Sequence, residues 1–323
     1  MRKLKAYILV ILLFYCCSAG TAQNNTTTVV FYNVENFFDT EDDPHTLDNE
    51  FLSDGIRKWN NYRFKTKRNH IFKTLLAIGN GTPPDIIGLC EIENRYCLEQ
   101  LIRYTPLRNF NYRIIHKESP DKRGIDVALL YRKDKFTPLD YAHFPVITSD
   151  KPKRYSRDIL YTKGIINNTD TIHFFVNHWP SRYRGLMESK PLRVKAANIL
   201  KLAIDSVSSK RKHVIVMGDF NDTPTEESMQ LLSQSGLINL SNNWQGTLKH
   251  KAYWNTFDQF LISPSIQSVF QIQANVIRIP FLLTEDKKFL GQKPFRTYIG
   301  FKYQGGFSDH LPIKLVLIKN GIQ

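Results

Sequence analysis

The sequence predicts a single α/β (α+β) domain in which two packed β-sheets are flanked by helices. Three observations predict it. Short runs rich in β-branched and aromatic residues, bounded by turn residues, recur along the chain and read as strands. A few apolar stripes at helical spacing are interspersed with them, without the regular βα alternation of a barrel. No Pro/Gly linker and no internal repeat divides the 323 residues. The 21 Phe and 15 Tyr can supply a large core, which argues against a disordered chain.

The elements follow in order. Arg2, Lys3 and Lys5 precede an apolar stretch at 6–15 that is too short to span a bilayer comfortably, and Gly20-Thr21-Ala22 offers small residues for cleavage. Residues 1–22 therefore read as a signal peptide and 23–323 as the domain, which predicts a secreted or periplasmic protein. Lipidation of Cys16 or Cys17 is the alternative, disfavoured by the bulky Phe14 and Tyr15 before them. Strands are predicted at 27–32, 85–90, 112–116, 125–131, 159–166, 171–177, 213–217, 256–262 and 313–318. Helices are predicted at 62–79, 98–104, 191–206 and 226–234. Asn167-Asn168-Thr169-Asp170 is a turn signal between two strands. The stretches 39–61 and 287–306 read as long loops. Cys90 and Cys97, the cysteines left after cleavage, make no disulfide framework, and Cys90 reads as a buried thiol.

Lys and Arg total 44 against 30 Asp and Glu, for a formal charge of +14. The excess favours anionic partners, and no long basic block concentrates it into a tail.

Six segments share one design, a hydrophobic strand met by carboxylate, amide or imidazole side chains. Five place the polar group just after the strand: Val29–Glu35, Ile86–Glu91, Phe174–His178, Val214–Asn221 and Gly306–His310. The sixth, Phe257-Asp258-Gln259-Phe260, sets a carboxylate inside an apolar run. One such group is ordinarily a turn residue or helix cap. Six in series predict strand ends converging on one acidic pocket. Hard cations such as Mg²⁺ take oxygen ligands and one or two protein carboxylates, and Glu91 and Glu35 are candidates. A histidine or carboxylate can activate water, and an amide such as Asn221 can donate to phosphoryl oxygens.

These segments resemble the endonuclease/exonuclease/phosphatase (DNase I-like) superfamily, most specifically through Gly218-Asp219-Phe220-Asn221-Asp222 and Ser308-Asp309-His310-Leu311-Pro312, supported by Glu91 in LCEIEN and Asn33 in YNVEN. The resemblance spans nearly all of the mature chain. It implies a four-layer α/β-β/α sandwich and a Mg²⁺-dependent hydrolase of phosphate esters. Glu91 would bind the metal, with Glu35 and Asp309 beside it. Asp219 would position the attacking water, and Asn221 would stabilise the transition state. His310 would contact the scissile phosphate, held in its tautomer by Asp258. His178 would support leaving-group protonation, with Asp126 orienting it. Asn33, Arg123 and Arg182 fall on the substrate side. Mn²⁺ is an alternative metal, and the acidic stretch 39–50 is a candidate for structural Ca²⁺.

Other polar residues receive bland readings. Asp222 and Thr223 read as the cap of the next helix. His45, His70, His116, His143, His173, His213 and His250 show no pairing in the sequence. In the segment 177–184, Arg182 and Arg184 can clamp a phosphate while Trp179 or Tyr183 stacks on a base. The first functional expectation is an exported nuclease. The second is a phosphodiesterase or phosphatase acting on a lipid head group or small ester, and the third a non-catalytic binding protein. No stable protein partner is expected, and the chain is expected to be monomeric.

Overall fold

The computed structural model describes residues 26–150, 153–183, 185–207 and 213–320. The expected signal peptide, Cys16, Cys17 and Arg184 lie outside the described residues. We number only the strands of the two large sheets. They are β1 (Thr26–Phe37), β2 (Ile86–Ile92), β3 (Tyr112–His116), β4 (Asp126–Arg132), β5 (Phe136–Phe144) and β6 (Ile159–Ile166). The remainder are β7 (Asp170–His178), β8 (His213–Asp219), β9 (Ile238–Asn239), β10 (Asp258–Ile262), β11 (Phe270–Val276) and β12 (Ile313–Lys319). The helices are α1 (Asn61–Ile78), α2 (Arg95–Arg103), α3 (Leu186–Val207) and α4 (Glu227–Gln234).

One sheet has the order β11-β12-β1-β2-β4-β3 and the other β9-β10-β8-β7-β6-β5. Each is built on the same plan. A central parallel pair, β1 with β2 or β7 with β8, is flanked by antiparallel partners. Parallel strands buried on both faces call for continuous apolar runs, and IIGLC in β2 and VIVM in β8 supply them. Between the sheets, Val29, Phe31, Cys90 and Leu129 of one meet Phe174, Val176, Met217 and Phe260 of the other. The α1 and α2 helices cover the outer face of the first sheet, and α3 and α4 that of the second. The result is the expected four-layer sandwich.

Most elements lie where the apolar pattern puts them. Asn167 and Asn168 both adopt left-handed φ, 48° and 59°, in the tight turn joining β6 to β7. Three features differ from expectation. The α3 helix starts at Leu186, so Pro191 lies inside it and removes one amide bond near its start. The strand β5 was hidden by Pro138, which sits at a register shift on the sheet's edge, where a missing donor is tolerated. The expected loop 287–306 contains parts of two short ribbons, Leu283–Glu285 with Gln292–Pro294 and Tyr298–Ile299 with Lys302–Tyr303.

The stretch 39–61 is irregular but anchored. Phe51 stacks on Phe38 with ring centroids 4.2 Å apart, and the buried Trp59 donates from Nε1 to the Phe38 carbonyl at 3.0 Å. Its acidic residues accept local amides: Asp39 from Glu41, Asp43 from His45, and Asp48 from Asp43. Among the described residues they form no group of three or more acidic, His or Cys ligand atoms within 4.8 Å.

Candidate active site

The register of the sheets assembles the site. In the second sheet His178, Asp219 and Asp258 stand side by side on β7, β8 and β10. In the first, Asn33 pairs with Cys90, and past that point both strands break register. Glu35, Asn36 and Glu91 there take left-handed φ of 53°, 56° and 62°. Bulges of this kind re-aim side chains at a strand end. The Ser308–Asp309–His310 segment leads into β12, whose first residue, Ile313, pairs with Phe31 of β1.

The two sheets are then tied together. Asn33 donates from Nδ2 to Asp219 Oδ2 at 3.0 Å, and its carbonyl accepts the Ser308 hydroxyl at 2.7 Å. Ser308 Oγ in turn accepts the His310 amide at 3.0 Å. His310 Nδ1 lies 2.7 Å from Asp258 Oδ2, which leaves Nε2 facing Asp219 Oδ2 at 3.8 Å. Thr247 Oγ1 accepts the Asp258 amide at 3.1 Å. On the other side His178 Nε2 lies 3.7 Å from Asp219 Oδ2 and 3.8 Å from Glu91 Oε1. Asn221, at φ 52°, donates its amide to Asp219 Oδ1 at 3.0 Å and its Nδ2 to the Trp179 carbonyl at 3.1 Å.

The surroundings push the two histidines in opposite directions. Burial works against a charge on His310, but the carboxylates of Asp258 and Asp219 outweigh it and hold the ring protonated well above the usual histidine range. Burial pushes His178 well below that range, aided by the positive charges of Arg157 and Arg123. The carboxylates near His178 stand beyond hydrogen-bond distance, and its Nδ1 is buried without a partner. Burial raises Asp219 to about 7, opposed by His310 and reinforced by Asp258.

A second group of charges lies behind the first. Glu35 accepts the Thr297 amide at 2.6 Å and Arg296 Nε at 3.2 Å. Arg296 also donates to Asp309 at 2.9 Å. Burial, then repulsion from Asp309, raises Glu35 to about 7. Asp309 is held low despite burial, chiefly by Arg296. Lys67 reaches in from α1, almost fully buried, and donates to Thr297 Oγ1 and the Phe307 carbonyl, both at 2.6 Å. Burial lowers it to about 8 against the opposing pull of Glu35, Asp309 and Glu91.

The structure thus brings Asn33, Glu35, Glu91, His178, Asp219, Asn221, Asp258, Asp309 and His310 to one end of the sandwich. Arg123 sits at the rim and donates to Asn36 Oδ1 at 2.8 Å. Arg182 lies behind Asn221, donating to its carbonyl at 2.8 Å while bonding Asp222 and Glu226 and lying over the Phe257 ring.

Several expectations are corrected. Asp126 does not orient His178. It accepts from the Ser119 hydroxyl at 2.5 Å and faces His116 Nε2 at 3.2 Å, so His116 is paired after all. Trp179 is buried edge-on against Phe220 and presents no stacking face. Asp222 is no helix cap. The cap position of α4 is Glu226, and Asp222 accepts the Ser228 hydroxyl and lies 2.6 Å from the buried Arg193.

The sequence reading missed Lys67, Arg296 and Thr247. Lys67 left a signal, since it falls on the buried stripe of α1 with Phe64, Ile71, Thr74, Leu75 and Ile78. Arg296 left none.

The hard-oxygen donor set fits a divalent cation. Glu91 Oε2 accepts the Asn36 amide at 2.9 Å, while Oε1 has no hydrogen-bond donor among the described residues and faces His178 Nε2 at 3.8 Å. Glu35 and Asp309 already share Arg296. Asp219, Asp258 and His310 offer ligand atoms within 4.8 Å of one another. The short Asp258–His310 bond already occupies one atom on each of those two residues, so Glu91 is the less committed donor.

Comparison with known proteins extends this. The model of the Endonuclease/Exonuclease/phosphatase family matches residues 28–319. Among solved structures, a family member from Bacteroides thetaiotaomicron is 18% identical, covers 92% of this chain and 98% of its own, and superposes with a TM-score of 0.60. A mannosyl-6-phosphatase from the same organism is 17% identical with 90% and 99% coverage and a TM-score of 0.59. D. rerio TDP2 complexed with a single-strand DNA product is 14% identical with 90% and 98% coverage and a TM-score of 0.56. Comparison with the curated proteins finds no match. At these identities the solved structures establish the shared fold. With the family match running almost end to end over a fold of the same kind, the chain belongs to the endonuclease/exonuclease/phosphatase family of phosphoester hydrolases.

Proposed function

We propose that the protein is an exported, Mg²⁺-dependent phosphodiester hydrolase acting on nucleic acid. One observation carries the reading: Asp219 lies between His310 Nε2 at 3.8 Å and His178 Nε2 at 3.7 Å, with the Asn221 amide bonded to it at 3.0 Å. Hydrolysis of a diester needs a group that accepts a proton from water and a group that supplies charge or a proton on the opposite side of phosphorus. Desolvated Asp219 is the acceptor that orients water. His310, favoured in its doubly protonated form and held in orientation by the Nδ1 bond to Asp258, presents Nε2–H to a phosphoryl oxygen. His178, neutral and next to Glu91, stands on the leaving-group side. Glu91, with Mn²⁺ as the alternative to Mg²⁺, would hold the cation, which supplies charge neutralisation at the phosphate.

The charge of +14 and the single-strand DNA product bound by the similar TDP2 support a nucleic-acid substrate. The similar mannosyl-6-phosphatase supports a second reading, hydrolysis of a small phosphate ester. Export rests on the targeting features of residues 1–22.

The test uses the mature chain with plasmid DNA, RNA, sphingomyelin, a sugar phosphate and bis-p-nitrophenyl phosphate, each with Mg²⁺, Mn²⁺ or EDTA. Nicking or degradation of nucleic acid that EDTA abolishes is the expected result. Turnover of the sugar phosphate alone would move the assignment to the second reading, and no turnover of any substrate would overturn both.

A further inference from the structure

We propose that a basic cleft beside His310 holds a second phosphate of the substrate, so that the protein selects phosphate chains over isolated esters. The inference deepens the phosphodiesterase reading above and rests on it.

The cleft has a volume of about 330 Å³ and is lined by Lys249, Lys251, Lys288, Lys293, Arg296 and Asp309, among others. One wall is the ribbon Leu248–His250 with Tyr253–Asn255, and the other is Leu283–Glu285 with Gln292–Pro294. The first wall is joined to the catalytic histidine. Leu248 forms an isolated antiparallel bridge with His310, and the Leu311 amide donates to the Thr247 carbonyl at 2.8 Å. The Thr247 hydroxyl accepts the amide of Asp258, the residue that orients His310. Any anion in the cleft therefore sits in a frame continuous with the reacting centre.

The walls are locked together by Lys249 and Asp286, 2.9 Å apart, with side chains only 4% and 3% exposed. Asp286 also faces Lys293 at 3.4 Å and accepts the amides of Lys288 and Phe289. Asp286 and Asp309 are thus committed to the wall cations and Arg296. Lys251 and Lys288 are exposed and have no carboxylate partner among the described residues. Lys251 holds φ 53° in the ribbon's turn, where Gly or Asn would cost less. A second cavity of about 350 Å³ shares Lys288, Lys293 and Arg296 with the first and adds Lys287, Gln304 and one acid, Glu285. Lysines without a carboxylate partner, one of them Lys288 over the Phe289 ring at 5.3 Å, in a concavity whose own acids are neutralised attract an anion more strongly than scattered surface lysines do. A substrate with one phosphate, seated at His310, leaves this cleft empty. One with a neighbouring phosphate fills both.

The double variant Lys251→Gln/Lys288→Gln tests the proposal, because neither side chain holds the walls together. KM for a single-stranded hexanucleotide should rise roughly tenfold, and the dependence of log KM on log salt should fall by about 0.7, the value for one lost phosphate contact on a single strand. Kinetics on bis-p-nitrophenyl phosphate should not change. A KM increase confined to a small sugar bisphosphate would also support the cleft and identify a compact substrate as the source of the second phosphate. Equal effects on single-phosphate and multi-phosphate substrates, or none on any, would overturn it. If the wild type hydrolyses nothing, the reading of function fails separately. Binding of a fluorescent hexanucleotide in EDTA then decides the cleft: weaker binding by the double variant supports it, and unchanged binding removes it.

Discussion

At the scale of single residues, the site separates protonation states with very few atoms. His310 and His178 flank one carboxylate, yet protonation is favoured on one ring and opposed on the other, because Asp258 bonds only the first. Asp219→Asn and His310→Ala should each lower kcat by about 10²–10⁴-fold without changing the far-ultraviolet circular dichroism spectrum. Asp258→Asn should lower it as well by loosening the His310 ring, and full activity in that variant would refute the orienting role. Lys67 gives a stability counterpart. It is the buried cation behind Glu35 and Asp309, and burial outweighs pairing in the shifts of both Lys67 and Glu35. Lys67→Met should destabilise by about 3–5 kcal/mol in urea unfolding, because it leaves a buried acid pair short of a countercharge. Adding Glu35→Gln should recover part of that loss. An undiminished loss in the double variant would mean that Lys67 acts only through its bonds to Thr297 and Phe307.

At the scale of elements, legibility followed the strength of the local pattern. β2, β8 and α1 were readable because apolar runs and stripes dictate them, and His178, Asp219 and Asn221 came with the strands that end at them. The ribbons around Arg296 were not readable, since strands of two or three residues carry no periodicity and their position depends on the buried Lys249–Asp286 pair. Asp126 was misjudged because its partner choice depends on the path of the chain after β3, which no local pattern encodes. The connection after β1 carries a prediction of its own. Glu93, just past β2, accepts the Asp39 amide at 2.6 Å, and burial, then Asp39 and its acidic neighbours, raises its carboxyl to about 9. Between its ordinary value near 4.5 and that value, the folded state holds a proton that the unfolded state has released. Stability therefore is fully present below the lower limit and falls as pH rises through the window. The melting temperature should drop from pH 5 to pH 9, and Glu93→Gln should flatten that slope while retaining an acceptor for Asp39. A slope identical in wild type and Glu93→Gln would show that Glu93 does not titrate in this range.

At the scale of the whole molecule, the site is a product of how far apart the two sheets stand. Glu91 and Asn33 belong to one sheet and His178, Asp219 and Asp258 to the other, so no single element contains the catalytic geometry. The spacing is set in the core directly beneath. Gly88 of β2 lies against Met217 of β8, and a Cβ there would come within 3.0 Å of the Met217 side chain and 3.2 Å of Phe31. The glycine thus permits the close approach that lets Asn33 reach Asp219 across the seam. Gly88→Val should wedge the sheets apart, because the three carbons of an isopropyl group exceed what the methionine can yield by rotating. Since the His178–Asp219–Asp258 row lies wholly within one sheet, it should survive, while contacts across the seam lengthen. We expect kcat to fall by tenfold or more, a loss of about 1.4 kcal/mol of transition-state stabilisation. Shortening the opposing side chain should restore the spacing, so Gly88→Val/Met217→Ala should recover most of the rate even if its melting temperature stays below that of wild type. Recovery of rate without recovery of stability would separate sheet spacing from folding. A Gly88→Val protein with undiminished kcat would show that the site does not depend on the distance between the sheets.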